Sequence, residues 1–584
     1  MDYTTGNKNE SPVDEQGYIK GFMRIKLTEE PTSVIRSTSG NIATGVKTLD
    51  SSLSSMGITS IKRTFPYDER FEERTRKEGM HLWYDIRFSE NQNSTRAAKL
   101  IAETEGIEIA TPVRQIHYNA VPSFSLPQVY ETQNADTPFN DPQLPKQWNY
   151  NNPGTETWQQ KGADIRLFNS WTQYNGNPNI IVAIVDGGIA LEHPDLKANL
   201  WTNSGEIPGN GIDDDHNGYI DDVHGYNFVS NSPNITPHRH GTHVAGTVAA
   251  VNNNGEGVCG IAGGDGTINS SVKLMSCQIF QHPDGNYFTD QETQNTPAAI
   301  KYAADNGALI CQNSWGYTGD INPADKAAID YFVKYAGCDK DGNQLPESPM
   351  KGGIVIFATN NNNSSNPSNA TPADYEKVLG VAALGPDYKK GAYSNYGNYI
   401  DLSAPGGTEN GVKGIYSTTL SQLGNYEYRY GASMASPHVS GVAALVLEKY
   451  GIGKKGFTAS QLEEILLTTA YDINKYNPQY VGKLGYGCVD ASAALAATLP
   501  ESKAFVLVSN PITNDELAFR VNKDLAGKAS ITIKNSAGAK VYSKSIETER
   551  YNTTVINISK LSAGYYHLVY LCNGNETSEN FIKY

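Results

Sequence analysis

The sequence predicts an α/β fold built on a doubly wound parallel sheet, with an N-terminal α+β domain and a C-terminal small β-sandwich. Three observations predict it. Between about residues 150 and 497, short and wholly apolar runs alternate with Gly- and Ala-rich segments. Before this region, apolar and charged residues alternate, and after about residue 503 no helical period remains. Unalternating runs are typical of strands buried on both faces of a parallel sheet, whereas alternation indicates half-buried strands.

The central region, residues 140–499, carries the predicted parallel strands. Its apolar runs are IIVAIVD, VKLMSCQIF, ALICQNSW, GGIVIFAT and KVLGVAAL. Small residues in the intervening segments favour helices that pack closely on both faces of the sheet. We therefore expect one large α/β domain here.

The N-terminal region divides into three parts. Residues 1–16 are polar and are predicted to be a flexible tether. Residues 17–120 form the α+β domain, in which Met23, Ile25 and Leu27 alternate with charged residues, and Ser94 is expected to cap a helix. Residues 121–139 are rich in Pro and Asn and break all periodicity, which indicates a linker.

The C-terminal region, residues 503–584, is predicted to be all β. Short apolar patterns such as Ile531 with Ile533, and Tyr566 with Leu568, are separated by Asn, Gly and Ser turns. Such spacing is typical of a small sandwich.

Composition limits the class of protein. The formal charge of −15 argues against nucleic acid as a partner, because phosphate contacts need clustered Lys and Arg. No apolar run is long enough to cross a membrane. The first residues are polar, so we expect an export signal, if there was one, to have been removed from this sequence.

Six cysteines in 584 residues do not make a disulfide scaffold. Cys259, Cys277 and Cys311 lie in apolar segments and are expected to be small buried residues. The sequence does not determine whether the other three are paired.

Three segments place reactive side chains where parallel-sheet proteins hold their active sites. Asp186 ends the run IIVAIVD, at the carboxyl end of a predicted buried strand. His240 begins a Gly- and Ala-rich helix in HRHGTHVAGTVAA, and Ser433 begins a long buried helix in YGASMASPHVSGVAALVLEKYG. Together they supply a nucleophile, a general base and the carboxylate that fixes the tautomer of that base.

These segments resemble the triad motifs of the subtilisin family of serine peptidases. The motifs are D-G-G-I, H-G-T-H-V-A-G-T and G-A-S-M-A-S-P-H-V-S-G, and the similarity extends over nearly all of residues 140–495. The departures are Ala432, where Thr is common, and Gly188 after D-G. The resemblance implies a secreted serine endopeptidase that acts on proteins or peptides through Asp186, His240 and Ser433.

The resemblance also implies an oxyanion site. The family uses an Asn side chain and the N–H of the nucleophile, and here the segment is FATNNNN. Counting from the strand gives Asn361 that role, with Asn360 in the place of a glycine because Asn tolerates positive φ. Asn360 or Asn362 remain alternatives if the register differs by one residue.

Ser314, Trp315 and Gly316 resemble the strand that pairs with the substrate backbone in this family. Gly316 would open one wall of the main specificity pocket. The large Trp315 side chain either narrows the neighbouring subsite or belongs to the core.

The segment GNGIDDDHNGYIDDVHG predicts a structural Ca²⁺ site. Asp213, Asp215, Asn217 and Asp222, with the carbonyl of Tyr219, give oxygen ligands at alternate positions around a tight turn. Related members of the family carry similar loops. The alternative is a solvated acidic loop without a cation.

By the same resemblance, residues 17–120 would be a propeptide that assists folding and inhibits the enzyme, with its tail in the active-site cleft. The chain would therefore be a zymogen. TPFNDPQLPKQWNYNNPG, residues 137–154, resembles the start of mature bacterial enzymes of this type. Cleavage is therefore expected between about Ser125 and Thr137.

The C-terminal domain resembles the sorting domain of the type nine secretion system of Bacteroidetes. The shared features include Asn510-Pro511, the segment LSAGYY at 561–566 and an end containing Lys583. This implies the export machinery as a partner and a secreted or cell-surface location. An accessory domain that binds substrate is the alternative.

Two other functions stay open at this point. An exopeptidase or dedicated processing protease would need a barrier at one end of the cleft, and the sequence reveals none. A surface-binding protein that keeps only the peptidase fold would not need intact triad motifs.

Overall fold

The computed structural model describes residues 13–30, 36–38, 41–43, 47–118, 137–281, 295–408, 411–497, 505–507, 512, 515–521, 525–548 and 554–584. Most of the predicted tether, the predicted processing segment and the junction near residue 500 lie outside these residues. The chain divides into two compact units, Met1–Ala496 and Ala497–Tyr584.

The N-terminal domain is α+β, as predicted. Its strands are β1 (Tyr18–Leu27), β2 (Arg36–Thr38), β3 (Asn41–Ala43), β4 (Ser60–Arg63), β5 (Trp83–Arg87), β6 (Ile107–Arg114) and β7 (His117–Tyr118). Its helices are α1 (Lys47–Ser55), α2 (Glu72–Lys77) and α3 (Ser94–Ala102). The main sheet has the order β4-β5-β1-β6, with antiparallel neighbours.

The alternation in β1 produces the core of this domain. Met23, Ile25 and Leu27 are buried in one cluster with residues of α1 and α3. The expected cap of α3 is wrong by one residue, because the side chain of Asn93 accepts the N–H of Arg96. Ser94 is instead the first helical residue, and its hydroxyl donates to the carbonyl of Ile19.

The central region contains ten strands and six helices within the part of the chain that is described. The strands are β8 (Ile181–Gly187), β9 (Gly225–Asn227), β10 (Lys273–Phe280), β11 (Ala308–Asn313), β12 (Trp315–Gly316), β13 (Ile354–Ala358), β14 (Leu379–Leu384), β15 (Leu402–Pro405), β16 (Ile415–Thr418) and β17 (Tyr426–Arg429). The helices are α4 (Arg239–Ala249), α5 (Thr296–Asp305), α6 (Pro323–Tyr335), α7 (Ala432–Tyr450), α8 (Ala459–Thr468) and α9 (Ala491–Ala496).

Seven of these strands form the predicted parallel sheet, in the order β15-β14-β13-β11-β8-β10-β9. Every neighbouring pair is parallel. Helices α4 and α7 pack on each other and on the sheet, and α5 and α6 do the same. After β8 the chain forms the edge strand β9 and then β10 on one side of β8, and continues to β11 on the other side. Such a switch point is where open α/β sheets form their sites.

The C-terminal unit is all β, as predicted. Its strands are β18 (Phe505–Leu507), β19 (Glu516–Val521), β20 (Gly527–Asn535), β21 (Lys540–Thr548), β22 (Thr554–Asn557), β23 (Gly564–Cys572) and β24 (Asn575–Lys583). They form two sheets, β18-β19-β22 and β21-β20-β23-β24. Phe519, Ile531 and Tyr570 are fully buried in the shared core, so the unit is a β-sandwich. Near the end of the chain, the Lys583 ammonium donates to the carbonyls of Ile558 and Leu561.

All six cysteines lie among the described residues, and each is buried without a disulfide. No described helix is both long enough and apolar enough to span a membrane.

Candidate active site

Asp186 lies at the carboxyl end of β8, beside the switch point of the sheet. Its side chain is fully buried, and the N–H of Gly187 donates to Asp186 Oδ1 at 2.6 Å. Valine and isoleucine residues fill the preceding strand, and all of them after Ile181 are buried. The apolar strand thus carries one carboxylate into the interior, where it must be paired.

His240 supplies the partner of Asp186. The ring atom His240 Nδ1 lies 2.7 Å from Asp186 Oδ1, and both residues are fully buried. Because an ionised carboxylate only accepts hydrogen bonds, His240 Nδ1 carries the proton of the neutral ring. His240 Nε2 is then the basic nitrogen, as a general base requires.

Glycine makes this contact possible. A Cβ on Gly241 would lie 1.9 Å from the carbonyl oxygen of Gly187. The start of α4 therefore approaches the end of β8 more closely than any residue with a side chain would permit.

Ser433 is the second residue of α7, and it is fully buried. Its hydroxyl donates to the carbonyl oxygen of Ser314 at 3.1 Å, and the Ser314 hydroxyl donates to the carbonyl of Ser433 at 2.8 Å. The start of α7 is thus fixed to the segment between β11 and β12. A hydroxyl in the first turn of a helix lies beside N–H groups that helix geometry leaves without intrahelical partners.

Asn361 is held against the backbone that leads to Ser433. The N–H of Ala432 donates to Asn361 Oδ1 at 2.8 Å. Since a backbone N–H is only a donor, the atom it meets is the amide oxygen, and the other atom of that amide is an NH₂ donor. Asn361 therefore carries a donor group close to the start of α7.

The neighbouring asparagines make different contacts. Asn360 has a φ of +70°, the conformation expected where the family has glycine, and its amide donates to the carbonyl of Asn369 at 2.7 Å. Asn362 is exposed, and its backbone N–H donates to the Asn395 side chain. These contacts favour Asn361 over both alternatives for the oxyanion role.

Ser314 contacts Ser433, and Trp315 and Gly316 follow it in the chain. Strand β12, formed by the last two, pairs antiparallel with β7 of the N-terminal domain. A Cβ on Gly316 would lie 2.7 Å from Asn360 Oδ1, so any other residue at this position would displace the Asn360 amide. The Trp315 ring is fully buried, 5.0 Å from the Phe357 ring between centroids, which favours the core alternative for its side chain.

Residues 203–222 form an acidic loop at a separate place. One oxygen each of Glu206, Asp213 and Asp215 lies within 4.8 Å of the others. Within the loop, Glu206 accepts the N–H of Asp215, and Asp213 accepts the N–H of Gly218. Three carboxylates at this separation repel one another, and hard oxygen donors of this kind suit Ca²⁺.

The other predicted ligands extend from the loop towards α5. The Asn217 amide donates to Asp222 at 3.1 Å, and the Tyr302 hydroxyl donates to Asp222 at 2.5 Å. Burial raises the pKa of Asp222 to about 7. The Tyr219 ring packs 4.9 Å from that of Tyr302. The structure thus brings Asp213 and Asp215 together with Glu206, which the sequence prediction missed because Glu206 lies outside the acidic motif, seven positions before Asp213.

The N-terminal domain docks on α5 and α6 through Arg74, another residue that the sequence analysis missed. The guanidinium donates to Asp305 Oδ1 at 2.6 Å and to the Tyr331 hydroxyl, and it lies 3.7 Å from the Phe71 ring centre. The side chains of Arg74 and Asp305 are 2% and 4% exposed, so the pair is buried. Burial raises the pKa of Asp305, but Lys301 and Arg74 outweigh it and hold that pKa below its ordinary value.

A second arginine connects the same domain to the acidic loop. Arg70 donates to Asp215 Oδ2 at 3.0 Å and to both oxygens of Asp68. One guanidinium therefore neutralises part of the charge of the loop. No local spacing in the sequence signals such a contact, which joins residues 145 positions apart.

Comparison with known proteins identifies the regions of the chain. Residues 177–492 match the family described as the Subtilase family, and residues 23–154 match one described as the N-terminal of the Subtilase family. Residues 510–584 match a Secretion system C-terminal sorting domain.

Two curated relatives illustrate the similarity. Fervidolysin of Fervidobacterium pennivorans is 31% identical over 351 residues, which cover 56% of this chain and 42% of the relative. The Extracellular basic protease of Dichelobacter nodosus is 30% identical over 433 residues, which cover 66% of this chain and 61% of the relative. The chain thus spans less than two thirds of the length of either.

The crystal structure of fervidolysin has the same fold. It superposes with a TM-score of 0.54 at 20% identity, covering 98% of this chain and 78% of that one. The family match over 177–492 includes more than half of the chain and contains Asp186, His240 and Ser433. This chain belongs to the subtilase family of serine proteases.

Proposed function

We propose that this protein is a serine endopeptidase, made as a zymogen, in which Asp186, His240 and Ser433 form the catalytic triad. The observation that carries the proposal is the buried contact of 2.7 Å between His240 Nδ1 and Asp186 Oδ1. It fixes the tautomer that leaves His240 Nε2 basic. Membership in the subtilase family supports the same assignment.

The reaction follows from these groups. Ser433 Oγ attacks the carbonyl carbon of a peptide bond while its proton passes to His240 Nε2. The oxygen that becomes negative is stabilised by the Asn361 amide and the N–H of Ser433. His240 then gives the proton to the departing amine, which leaves an acyl-enzyme. Water then attacks the carbonyl carbon of the acyl-enzyme while its proton passes to His240 Nε2, and the intermediate expels Ser433 Oγ, which takes that proton back.

The domain at residues 17–120 acts as the propeptide and as an internal inhibitor. Its strand β7 lies along β12, where the backbone of a substrate would pair. The buried pair of Arg74 and Asp305 attaches the propeptide to α5 as well. Two separate contacts thus favour a latent enzyme.

The acidic loop binds Ca²⁺ as a structural ion. The donor set fits a hard cation, since Glu206, Asp213 and Asp215 present carboxylate oxygens to one another. Asn217, Asp222 and the carbonyl of Tyr219 would supply further oxygen ligands, or hold the loop in place through their hydrogen bonds. The ion would remove the repulsion between these carboxylates and make the loop rigid, without taking part in peptide cleavage.

The C-terminal sandwich directs the enzyme out of the cell or to its surface. Its match to a sorting domain supports this, as does the similarity of the chain to an extracellular protease of Dichelobacter nodosus. Proteins or peptides outside the cell would then be the substrates.

Labelling with a fluorophosphonate probe tests the triad. The probe should form an adduct on Ser433 of the processed protein, identified by mass spectrometry of the tryptic peptide. Ser433→Ala should remove the adduct, while Ser436→Ala, a matched change one turn along α7, should keep it. Labelling at a different serine, or none in processed protein, would contradict the assignment.

A further inference from the structure

Asn361 lies in the asparagine loop, residues 359–366, which follows β13 and contains neither helix nor strand. The side chains of Asn362 and Asn363 in this loop are exposed. A donor on an exposed loop stays in a fixed position only where the backbone of the loop has fixed partners. The partners of the asparagine loop therefore decide how accurately Asn361 can meet a developing oxyanion.

Asn395 supplies partners to this loop from inside the domain. Its side chain is fully buried. Asn395 Oδ1 accepts the backbone N–H groups of Asn362 and Ser364, each at 3.0 Å. The backbone N–H of Asn395 donates to the carbonyl of Asn360 at 3.3 Å. One residue thus holds the loop backbone on both sides of Asn361.

These contacts require an amide at position 395. The NH₂ group of Asn395 donates to the carbonyl of Asn369 at 3.1 Å, so donors meet one end of the amide and an acceptor meets the other. An aspartate would face that carbonyl with a second acceptor. An apolar side chain would leave the N–H groups of the loop without this partner, which is costly where they are shielded from water. Either change would therefore weaken the hold on the loop.

The segment that carries Asn395 also contacts the chain before the nucleophile. The carbonyl of Tyr393 accepts the N–H of Asn363 at 2.7 Å. The Tyr393 hydroxyl accepts the N–H of Gly431, two residues before Ser433, at 3.1 Å. One short segment thus connects the asparagine loop to the start of α7.

We propose that Asn395 is a positioning residue for the oxyanion site. It holds the asparagine loop so that the Asn361 amide keeps a fixed separation from the N–H of Ser433. Donors that are already in place cost no reorganisation when the negative charge forms, so their position affects the transition state more than substrate binding. The proposal rests on the proposed function, in which these two groups stabilise the oxyanion. Asn395 acts through Asn361 and does not itself contact the substrate.

A double-mutant cycle on kcat tests this role. Asn395→Ala is introduced into the wild-type protein and into Asn361→Ala, and all four proteins are processed by immobilised wild-type enzyme, which is then removed. With Asn361 present, Asn395→Ala should lower kcat between about 10-fold and 10²-fold with KM nearly unchanged, as expected for a displaced catalytic group. In Asn361→Ala, the same change should lower kcat by less than about twofold, because the donor that it positions is absent.

A residue that only stabilises the fold would give a different pattern. Its loss would lower kcat by the same factor in both backgrounds, and that result would overturn the proposal. The unfolding temperature should fall equally in both backgrounds, since the backbone contacts of Asn395 are present in each. If Asn361→Ala itself keeps the wild-type kcat, the oxyanion assignment in the proposed function fails, and this inference fails with it.

A shorter polar side chain covers the case in which Asn395→Ala does not fold. Asn395→Ser leaves a hydroxyl and room for water in the site, but it is too short to hold both N–H groups, so the same cycle can be measured with it. The matched control is Asn398→Ala, a change of an exposed asparagine three positions further on, which should leave kcat within about twofold. A loss in this control as large as in Asn395→Ala would overturn the assignment to Asn395.

Discussion

The catalytic corner and the acidic loop both contain carboxylates and amides, but they hold them in different ways. In the proposed catalytic corner, formed by Asp186, His240, Ser433 and Asn361, the first three side chains come from β8, α4 and α7, and Asn361 comes from the loop after β13. In the acidic loop, Glu206, Asp213 and Asp215 accept backbone N–H groups of the loop itself. The corner therefore depends on the whole fold, whereas the loop depends on local turns.

This difference has a chemical consequence. The buried contact with Asp186 fixes the orientation and the tautomer of His240. The proton is then on His240 Nδ1, and His240 Nε2 is the basic nitrogen. In the acidic loop, the carboxylates accept hydrogen bonds from several backbone N–H groups. Among the described residues, none of these carboxylates is paired with a side chain that could act as a base. We expect changes in the corner to act on turnover and changes in the loop to act on stability.

The largest effect is expected for Asp186→Asn. The amide would favour the wrong tautomer of His240, and turnover should fall by about 10⁴-fold with a small change in KM. The matched control is Asp214→Asn in the acidic loop, which should leave turnover within about twofold. Steady-state kinetics on a peptide substrate measures both. If Asp214→Asn lowered turnover as much as Asp186→Asn, the acidic loop would affect turnover like the catalytic corner, and the proposed difference between the two regions would be wrong.

Asn361→Ala should lower kcat by about 10²–10³-fold, the loss typical for one oxyanion donor, with KM nearly unchanged. Asn362→Ala changes an exposed side chain of the same type and should have little effect. If Asn360→Ala or Asn362→Ala produces the large loss instead, the assignment within FATNNNN is wrong.

Arg74→Ala should weaken the attachment of the propeptide domain to α5 and α6. Removing one member of a buried ion pair lowers the free energy of unfolding by about 3–5 kcal/mol, since the Asp305 carboxylate stays buried with less positive charge beside it. In the uncut Ser433→Ala protein this should lower the midpoint of thermal unfolding, and in active protein it should shorten the lag before activity rises.

The control is Arg76→Ala, a change on the same helix as Arg74, which breaks ion pairs with Glu30 and Glu72. The Arg76 side chain is 41% exposed, so water screens these pairs and the loss of stability should be about 1 kcal/mol or less. Equal effects of the two changes would mean that burial of the Arg74 pair does not set the strength of docking.

The smallest effect concerns the acidic loop. A ligand that binds only folded protein stabilises it by about 2.7 kcal/mol at one hundred times its Kd. A chelator should therefore lower the unfolding temperature of the processed enzyme by a few degrees. Glu206→Gln and Asp215→Asn should each reduce this response, and Asp341→Asn, an exposed acid elsewhere in the same domain, should not. The same melting curve with and without chelator would mean that the loop holds no cation.

The sequence predicted the framework of the molecule because its signals are local. Apolar runs such as IIVAIVD indicated buried parallel strands, and the confirmed sheet has them at its centre. The positions of Asp186, His240 and Ser433 at element ends followed from the same patterns. The predicted N-cap of α3 was wrong because Asn93 and Ser94 are both residues that cap helices well. An N-cap residue has an extended backbone, and Asn93 has that conformation, whereas Ser94 is already helical.

Which distant residues meet depends on the tertiary structure. Arg70 reaches Asp215 across 145 positions of sequence, and Arg74 reaches Asp305 across 231 positions. Similarly, β7 of the N-terminal domain pairs with β12 of the central region. By itself, the sequence determined which segments become strands, helices and reactive motifs. Contacts between segments depend instead on how the packed elements orient their side chains, which no local pattern encodes.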